Sequence, residues 1–293
     1  MREARRQTHK DMNVVSYFDG ISCGQIALDK LNIEVSNYFA YEIDEKSISI
    51  TQRNYPKTKQ MGSVVDADLS ILPIIDLLIG GSPCQGFSSS GKKLNFEDPR
   101  SKLFFEFVKA KEILKPKYFF LENVVMKKEY KDIISKYLGC EPIVINSSLV
   151  SAQNRVRLYW TNIPNIAELK DRNITVKTSL GIDKPIGQMQ AFPRNYKKLG
   201  LKRVERFEER TDSKSNCCLA RSDKNLYKTD NGLKKLTVKH YEILQGIPLE
   251  YTKGECDSQR YKMIGNGWNI DTVIHFFKEL PYSRNIGGFL HCG

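Results

Sequence analysis

The chain is poor in histidine, with four in 293 residues, and none of its seven cysteines forms a Cys-x-x-Cys pair. A zinc site draws on clustered thiols and imidazoles, so this composition argues against one, and no other metal site is indicated. Seven is an odd number, and the cysteine positions show no disulfide framework, which suits a reducing cytoplasm. No apolar run approaches the ~20 residues that span a bilayer, so no membrane partner is expected. Residues 1–11 are polar and carry both charge signs, unlike a signal peptide; they read as a disordered leader or a cloning remnant. Internal repeats and low-complexity tracts are absent. Acidic residues are the scarcer charge, 34 against 46 Lys and Arg, for a net charge of +12. The imbalance is local: residues 165–239 hold 18 basic and nine acidic side chains. A near-neutral body with one basic segment points to a polyanionic partner, with nucleic acid favoured.

The rest of the chain alternates apolar β-rich runs with amphipathic stretches. Residues 12–18, 37–42, 74–79, 118–121, 143–149 and 157–161 read as strands. The run 74–79 is apolar nearly throughout, as in a strand buried on both faces. Residues 25–31, 45–54, 101–108, 130–138 and 271–280 read as helices, with Asp44 as an N-cap and Pro56 as a stop. This alternation predicts an α/β fold with a mostly parallel sheet. The segment 165–239 is polar, weakly periodic and punctuated by Gly and Pro, so a smaller domain is expected there.

Reactive side chains cluster where such a sheet presents them, beyond the carboxyl ends of its strands. The turn Gly80-Gly81-Ser82-Pro83-Cys84-Gln85-Gly86-Phe87 follows the run 74–79 and puts a thiol in a loop beside the expected cleft. Cys84 is therefore a candidate nucleophile, although a small packing residue fits the local pattern too. Glu122 ends another strand and can face the same pocket. The loop 18–24 carries two glycines before a helix, and Glu42 at the next strand end can accept hydrogen bonds from ribose hydroxyls. No Gly-x-Gly-x-x-Gly fingerprint is present, so a nucleoside-type cofactor is favoured over a pyrophosphate one. Gln153, Arg155 and Arg157 recur at period two, and in a strand would share a face able to hold the edge of a base or to line a salt-bridged sheet edge.

These pieces, in this order, resemble the DNA cytosine-5 methyltransferases over residues 12–164 and about 236–280. Phe18-Asp19-Gly20 resembles the family's cofactor motif, Pro83-Cys84-Gln85 its nucleophile motif and Glu122-Asn123-Val124 its acid motif. Gln153-x-Arg155-x-Arg157 resembles its base-clamping motif, and Gly265-Asn266-Gly267-Trp268 the late motif that closes the cofactor pocket. The motif flavour is nearest to the de novo eukaryotic branch, the compact size to bacterial or phage enzymes. The resemblance implies a Rossmann-like S-adenosylmethionine-dependent sheet formed by 12–164 and 240–293, with 165–239 as a small target-recognition domain. It implies methylation of cytosine carbon 5 in a short site of double-stranded DNA, the base being flipped out of the duplex.

By the same resemblance Cys84, Glu122, Arg155 and Arg157 are catalytic. Phe18, Asp19, Gly20, Ile21, Ser22, Glu42, Ile43, Ser63, Val64, Pro83, Asn266 and Trp268 would hold S-adenosyl-L-methionine. Where the family commonly has an adenine-contacting Asp, this chain has Ser63, with Asp66 three residues on, and either can serve. Gln85, Ser88, Lys92, Lys93, Gln153, Lys197, Lys198, Lys202 and Arg203 are expected on DNA. The expected setting is the cytoplasm of a bacterial or phage-infected cell, as monomer or homodimer. Two alternatives stand beside this one. A tRNA-modifying branch carries Cys-Phe-Thr in its recognition region, where this chain has Cys217-Cys218-Leu219. A non-catalytic DNA-binding subunit would lose the nucleophile or the acid, and both are kept.

Overall fold

The structure, a computed structural model, describes residues 12–82, 99–192, 197–198, 200, 202, 204–221 and 225–282, the side chains of 99–101 and 192 excepted. The two most apolar runs become the middle of the main sheet. Strands β1 (Met12–Tyr17) and β4 (Leu77–Gly80) pair in parallel, as do β1 with β2 (Val35–Tyr41) and β4 with β5 (Tyr118–Val124). A two-residue β3 (Lys59–Gln60) lies outside β2. On the other side, β6 (Ile143–Asn146) and β7 (Val156–Thr161) run antiparallel, giving the order β3-β2-β1-β4-β5-β7-β6. The α/β class with a mostly parallel sheet is as the sequence predicts.

Helices cover both faces, which is why the central strands have no polar side. Helices α1 (Cys23–Lys30), α2 (Glu45–Asn54), α6 (Val238–Gln245), α7 (Asp257–Asn266) and α8 (Ile270–Phe277) bury Ile26, Ile50, Leu244, Ile264 and Phe276 in one core. Helices α3 (Pro99–Leu114) and α4 (Lys128–Leu138) bury Phe104, Phe107, Ile134 and Leu138 in the other. Phe120 of β5 is fully buried amid Tyr159, Trp268, Phe276 and Phe277, with ring centroids 5.2–5.6 Å away.

Several boundaries move from their expected places. The third long apolar run starts pairing only at Leu77, and Ile74 is 81% exposed at the amino edge of the sheet. Just before the strand, the buried Asp76 accepts the Asn13 N–H and the Tyr282 hydroxyl, each at 3.0 Å. The run 143–149 divides into β6 and a 3-10 turn at Ser147–Leu149. Asp44 does precede α2, but its carboxylate accepts the Ser47 hydroxyl at 2.7 Å instead of capping a backbone N–H.

The segment 165–239 contains the short α5 (Val176–Leu180) and an antiparallel sheet in the order β11-β10-β8-β9. Its strands are β8 (Ile186–Phe192), β9 (Val204–Glu209), β10 (Leu226–Thr229) and β11 (Gly232–Lys235). Val176, Ile186, Cys218, Leu226 and Leu236 from this segment join the same buried cluster as Ile26 and Phe276. The small sheet is thus anchored in the main core.

Candidate active site

A cleft of ≈ 340 Å³ opens where β1, β2, β4 and β5 end. This is the carboxyl edge of the parallel sheet, where crossover connections leave a crevice. The volume falls within the range of small-molecule sites, ~300–1,000 Å³. One wall is the turn after β1, which winds through the left-handed region at Phe18, Gly20 and Ser22, each at φ 58. The turn is held from the next strand: Glu42 Oε2 accepts the Gly20 N–H, and Oε1 accepts the Ile43 and Asp44 N–H groups, all at 2.8 Å. Oε2 therefore keeps a lone pair for a further donor, and Glu42 lines the cleft.

Asp19 belongs to this turn and is buried. Its carboxylate accepts the Tyr38 hydroxyl at 2.8 Å and the Ser22 hydroxyl. Burial pushes its pKa up to about 6, against the hydrogen bonds from Ser16, Ser22 and Tyr38, which pull it down; the Glu42 charge adds to the rise. Asp19, Glu42 and Asp44 line this end of the cleft; Lys262 lies 3.9 Å from Asp44, and the carboxylates still outnumber the cation, which suits a cationic ligand.

The opposite wall comes from the antiparallel β5–β7 pair. Glu122 stands opposite Tyr159, and Val124 opposite Arg157, so Glu122 and Arg157 are diagonal neighbours on the face that also carries Phe120. Arg157 Nε lies 3.0 Å from Glu122 Oε1. The N–H is off line and makes no hydrogen bond, so the contact is one of charge, not of directed bonding. Next to Glu122, Asn123 is buried and donates from Nδ2 to the Ser82 hydroxyl at 3.0 Å and the Ser82 carbonyl at 3.4 Å. It fixes the chain as it leaves β4, two residues before Cys84. Cys84 lies outside the described residues, as do Pro83, Gln85, Ser88, Lys92, Lys93 and Arg203.

The floor is the turn after α7. Trp268 is buried and faces the cleft beside Asn266. Gly81 must lack a side chain: a Cβ would stand 2.8 Å from Trp268 Nε1 and 3.4 Å from Glu122 Oε2, filling the space between the two walls.

Of the expected cofactor residues, Phe18, Asp19, Gly20, Glu42, Asn266 and Trp268 line the cleft. Ile21 and Ser22 are buried behind it, and Ile43 is exposed at 75%. Ser63 and Asp66 are exposed and Val64 is buried in the second core; none of the three lines the cleft. Arg155 is almost fully buried, and its guanidinium donates to the carbonyls of Cys218, Gly265 and Gly267 and to Cys217 Sγ.

Gln153 departs furthest from expectation. It is fully buried; its amide donates to the Leu244 carbonyl at 2.6 Å and Gln245 Oε1 at 2.8 Å and accepts the Cys218 N–H at 3.2 Å. The side chain is spent inside the protein and presents nothing to DNA. The expected shared strand face fails because β7 begins only at Val156. Lys197, Lys198 and Lys202 are exposed. Sequence reading missed Asn123, Ser82 and Cys217. Asn123 and Ser82 sit inside motifs already singled out, whereas Cys217 enters only where the chain departs from the Cys-Phe-Thr signature. Among the described residues no cluster of side chains could hold a metal, and no helix is long and apolar enough to cross a membrane.

Comparison with known proteins adds four findings. A family model described as C-5 cytosine-specific DNA methylase matches residues 12–191. The type II methyltransferase M1.ScrFI of Lactococcus lactis subsp. cremoris is 27% identical over 305 residues, covering 92% of this chain and 77% of that enzyme. The orphan methyltransferase M.Rho11sI of Bacillus phage rho11s is 37% identical over 115 residues, covering 39% of this chain but only 23% of that protein. Among solved structures, the Entamoeba histolytica methyltransferase EhMeth superposes with a TM-score of 0.67 at 18% identity, over 92% of this chain and 98% of that one. At that identity the likeness is one of fold.

Proposed function

This chain belongs to the C-5 cytosine-specific DNA methylase family, and from that premise we propose that it methylates carbon 5 of cytosine in a short site of double-stranded DNA. The observation that carries the reading is the placing of Glu122 and Arg157 across one cleft from Glu42 and the Phe18–Gly20 turn. A base held by the first pair lies within reach of a nucleoside cofactor held by the second.

The cleft fits S-adenosyl-L-methionine. The unoccupied lone pair of Glu42 suits a ribose hydroxyl, the acidic end suits a sulfonium, and the space kept open at Gly81 would be filled by any side chain. When bound, this donor supplies an activated methyl group. The protein's own groups then divide the work. Cys84 attacks carbon 6 of the flipped cytosine, which makes carbon 5 nucleophilic; carbon 5 takes the methyl group and then loses its proton, and expulsion of Cys84 restores the ring double bond. Glu122 holds ring nitrogen 3 and the exocyclic amine, stabilising charge that builds on the ring. Arg157 holds the ring oxygen and orients Glu122. Arg155 lines the cleft beside Arg157 and braces it, since its guanidinium is spent on the Cys218, Gly265 and Gly267 carbonyls. Asn123 fixes Ser82, two residues before Cys84.

The test is transfer of labelled methyl from the donor to a duplex plasmid library, with bisulfite sequencing of the product and tRNA as a parallel substrate. Methylcytosine confined to one short DNA motif is expected. Label on tRNA alone would move the protein to the RNA-modifying reading, and no label on either would overturn the proposal.

A further inference from the structure

The cleft wall holds more positive than negative charge. Arg155 and Arg157 are both largely buried, and Glu122 is the carboxylate beside them. Among the described residues no carboxylate lies within ion-pair distance of Arg155. The group that meets both cations is Cys217, 62 residues away in the chain. Its Sγ lies 3.2 Å from Arg155 Nη1 and 3.8 Å from Arg157 Nη2.

The thiol itself faces the Cys218 carbonyl at 3.7 Å, and the segment around it is tied down. Arg155 also reaches the carbonyls of Cys218, Gly265 and Gly267, so it ties the 217–218 segment to the turn that bears Trp268. Asn225 donates to the Cys217 carbonyl at 3.4 Å. The junction is tight: a Cβ at Gly265 would come within 2.2 Å of the Leu219 backbone. Cys218 and Tyr241 are the other titratable groups close by, and burial keeps both neutral at ordinary pH. Burial would raise the Cys217 thiol as well, yet Arg155 and Arg157 together hold it below an ordinary thiol.

Arg157 is otherwise loosely held. Its Nη1 donates to the neighbouring Val156 carbonyl at 2.8 Å, and its Nε faces Glu122 without a hydrogen bond. We propose that Cys217 is a positioning residue whose sulfur bridges the two guanidiniums and so couples the seating of the recognition segment to the Glu122–Arg157 pair. It touches no substrate. It passes the position of the 217–218 segment to the arginine that faces the base. Movement of that segment when DNA seats shifts the sulfur, and with it the aim of Arg157. The inference rests on the methyl-transfer reading above.

The test compares Cys217→Ala, Cys217→Val and Cys217→Ser with the wild type in methyl transfer, duplex-DNA affinity and thermal melting. Serine keeps an acceptor at this position, within reach of Arg155 and closer to Arg157 only if that side chain moves in; valine keeps the volume and accepts none. Alanine and valine are expected to lower kcat about 10- to 100-fold, the scale on which misplacement of a reacting group acts. KM for the donor, DNA affinity and melting temperature should change little, and serine should recover most of the rate. Wild-type kcat in Cys217→Ala would overturn the proposal, as would equal loss in Ser and Val. So would a loss that tracks melting or DNA affinity, or a failure of both non-accepting variants to fold, because the role would then be structural. An active wild type matched by Cys217→Ala overturns this inference alone; a wild type inactive toward DNA overturns the underlying reading with it.

Discussion

Glu122 and Arg157 touch without a directed bond, and that looseness has a use. A bidentate ion pair would take one lone pair from each oxygen and fix the carboxylate's orientation, whereas Glu122 accepts no hydrogen bond from Arg157 Nε and keeps both oxygens available. Glu122→Gln keeps the size and removes the charge. It is expected to bind duplex DNA within about twofold of wild type and to lower kcat by about 100-fold or more, as loss of a preorganised electrostatic group does. Wild-type turnover in this variant would remove the residue from the chemistry. Asp19 is the other informative carboxylate. Its folded pKa of about 6 exceeds that of a free aspartate, so the folded state binds the proton more tightly than the unfolded chain. Its contribution to stability is full below about pH 4 and is lost as pH rises through about 6. Asp19→Asn should therefore stabilise the protein at about pH 8 relative to its effect at about pH 4. Melting curves at the two pH values that show the same shift would contradict this.

Strands and turns explain which features were legible beforehand. The central strands were visible because burial on both faces demands an unbroken apolar run. Ile74 misled because apolar character says nothing of where pairing starts, and this residue stands outside the ladder. The cofactor turn and Glu42 were legible because strand ends in such sheets converge on one crevice. Pairing of β5 with an antiparallel β7 was not, since register is a property of two strands and no local pattern encodes it. That pairing is what brings Glu122 diagonal to Arg157. Gln153 shows the converse: the period-two pattern runs across residues that are not in a strand, and the side chain lies in the interior. The close approach at Gly265 was equally hidden. Gly265→Ala forces a carbon against the Leu219 backbone and is expected to cost about 1–3 kcal/mol, as overpacking does. An unchanged melting temperature would show that the junction yields more easily than its geometry implies.

Over the whole molecule, charge and architecture divide between two sheets that share a core. The excess of basic residues lies in 165–239, within which β9 carries Glu205, Glu208 and Glu209 while the β10–β11 hairpin carries Lys228, Lys234 and Lys235. Phosphate contacts release counterions, so neutralising Lys197, Lys198, Lys202 and Arg203 together should weaken DNA binding and reduce its dependence on salt. A salt slope equal to that of the wild type would place this cluster away from the DNA. The central claim is that these two sheets bring a cytosine to Cys84 between Glu122 and the methyl donor. Its most direct test is a denaturing gel of the protein incubated with S-adenosylmethionine and duplex DNA containing 5-fluorocytosine at its target site. The account expects a covalent protein–DNA species that requires the donor and is absent in Cys84→Ala. The same species formed by Cys84→Ala, or none formed by the wild type, would contradict it.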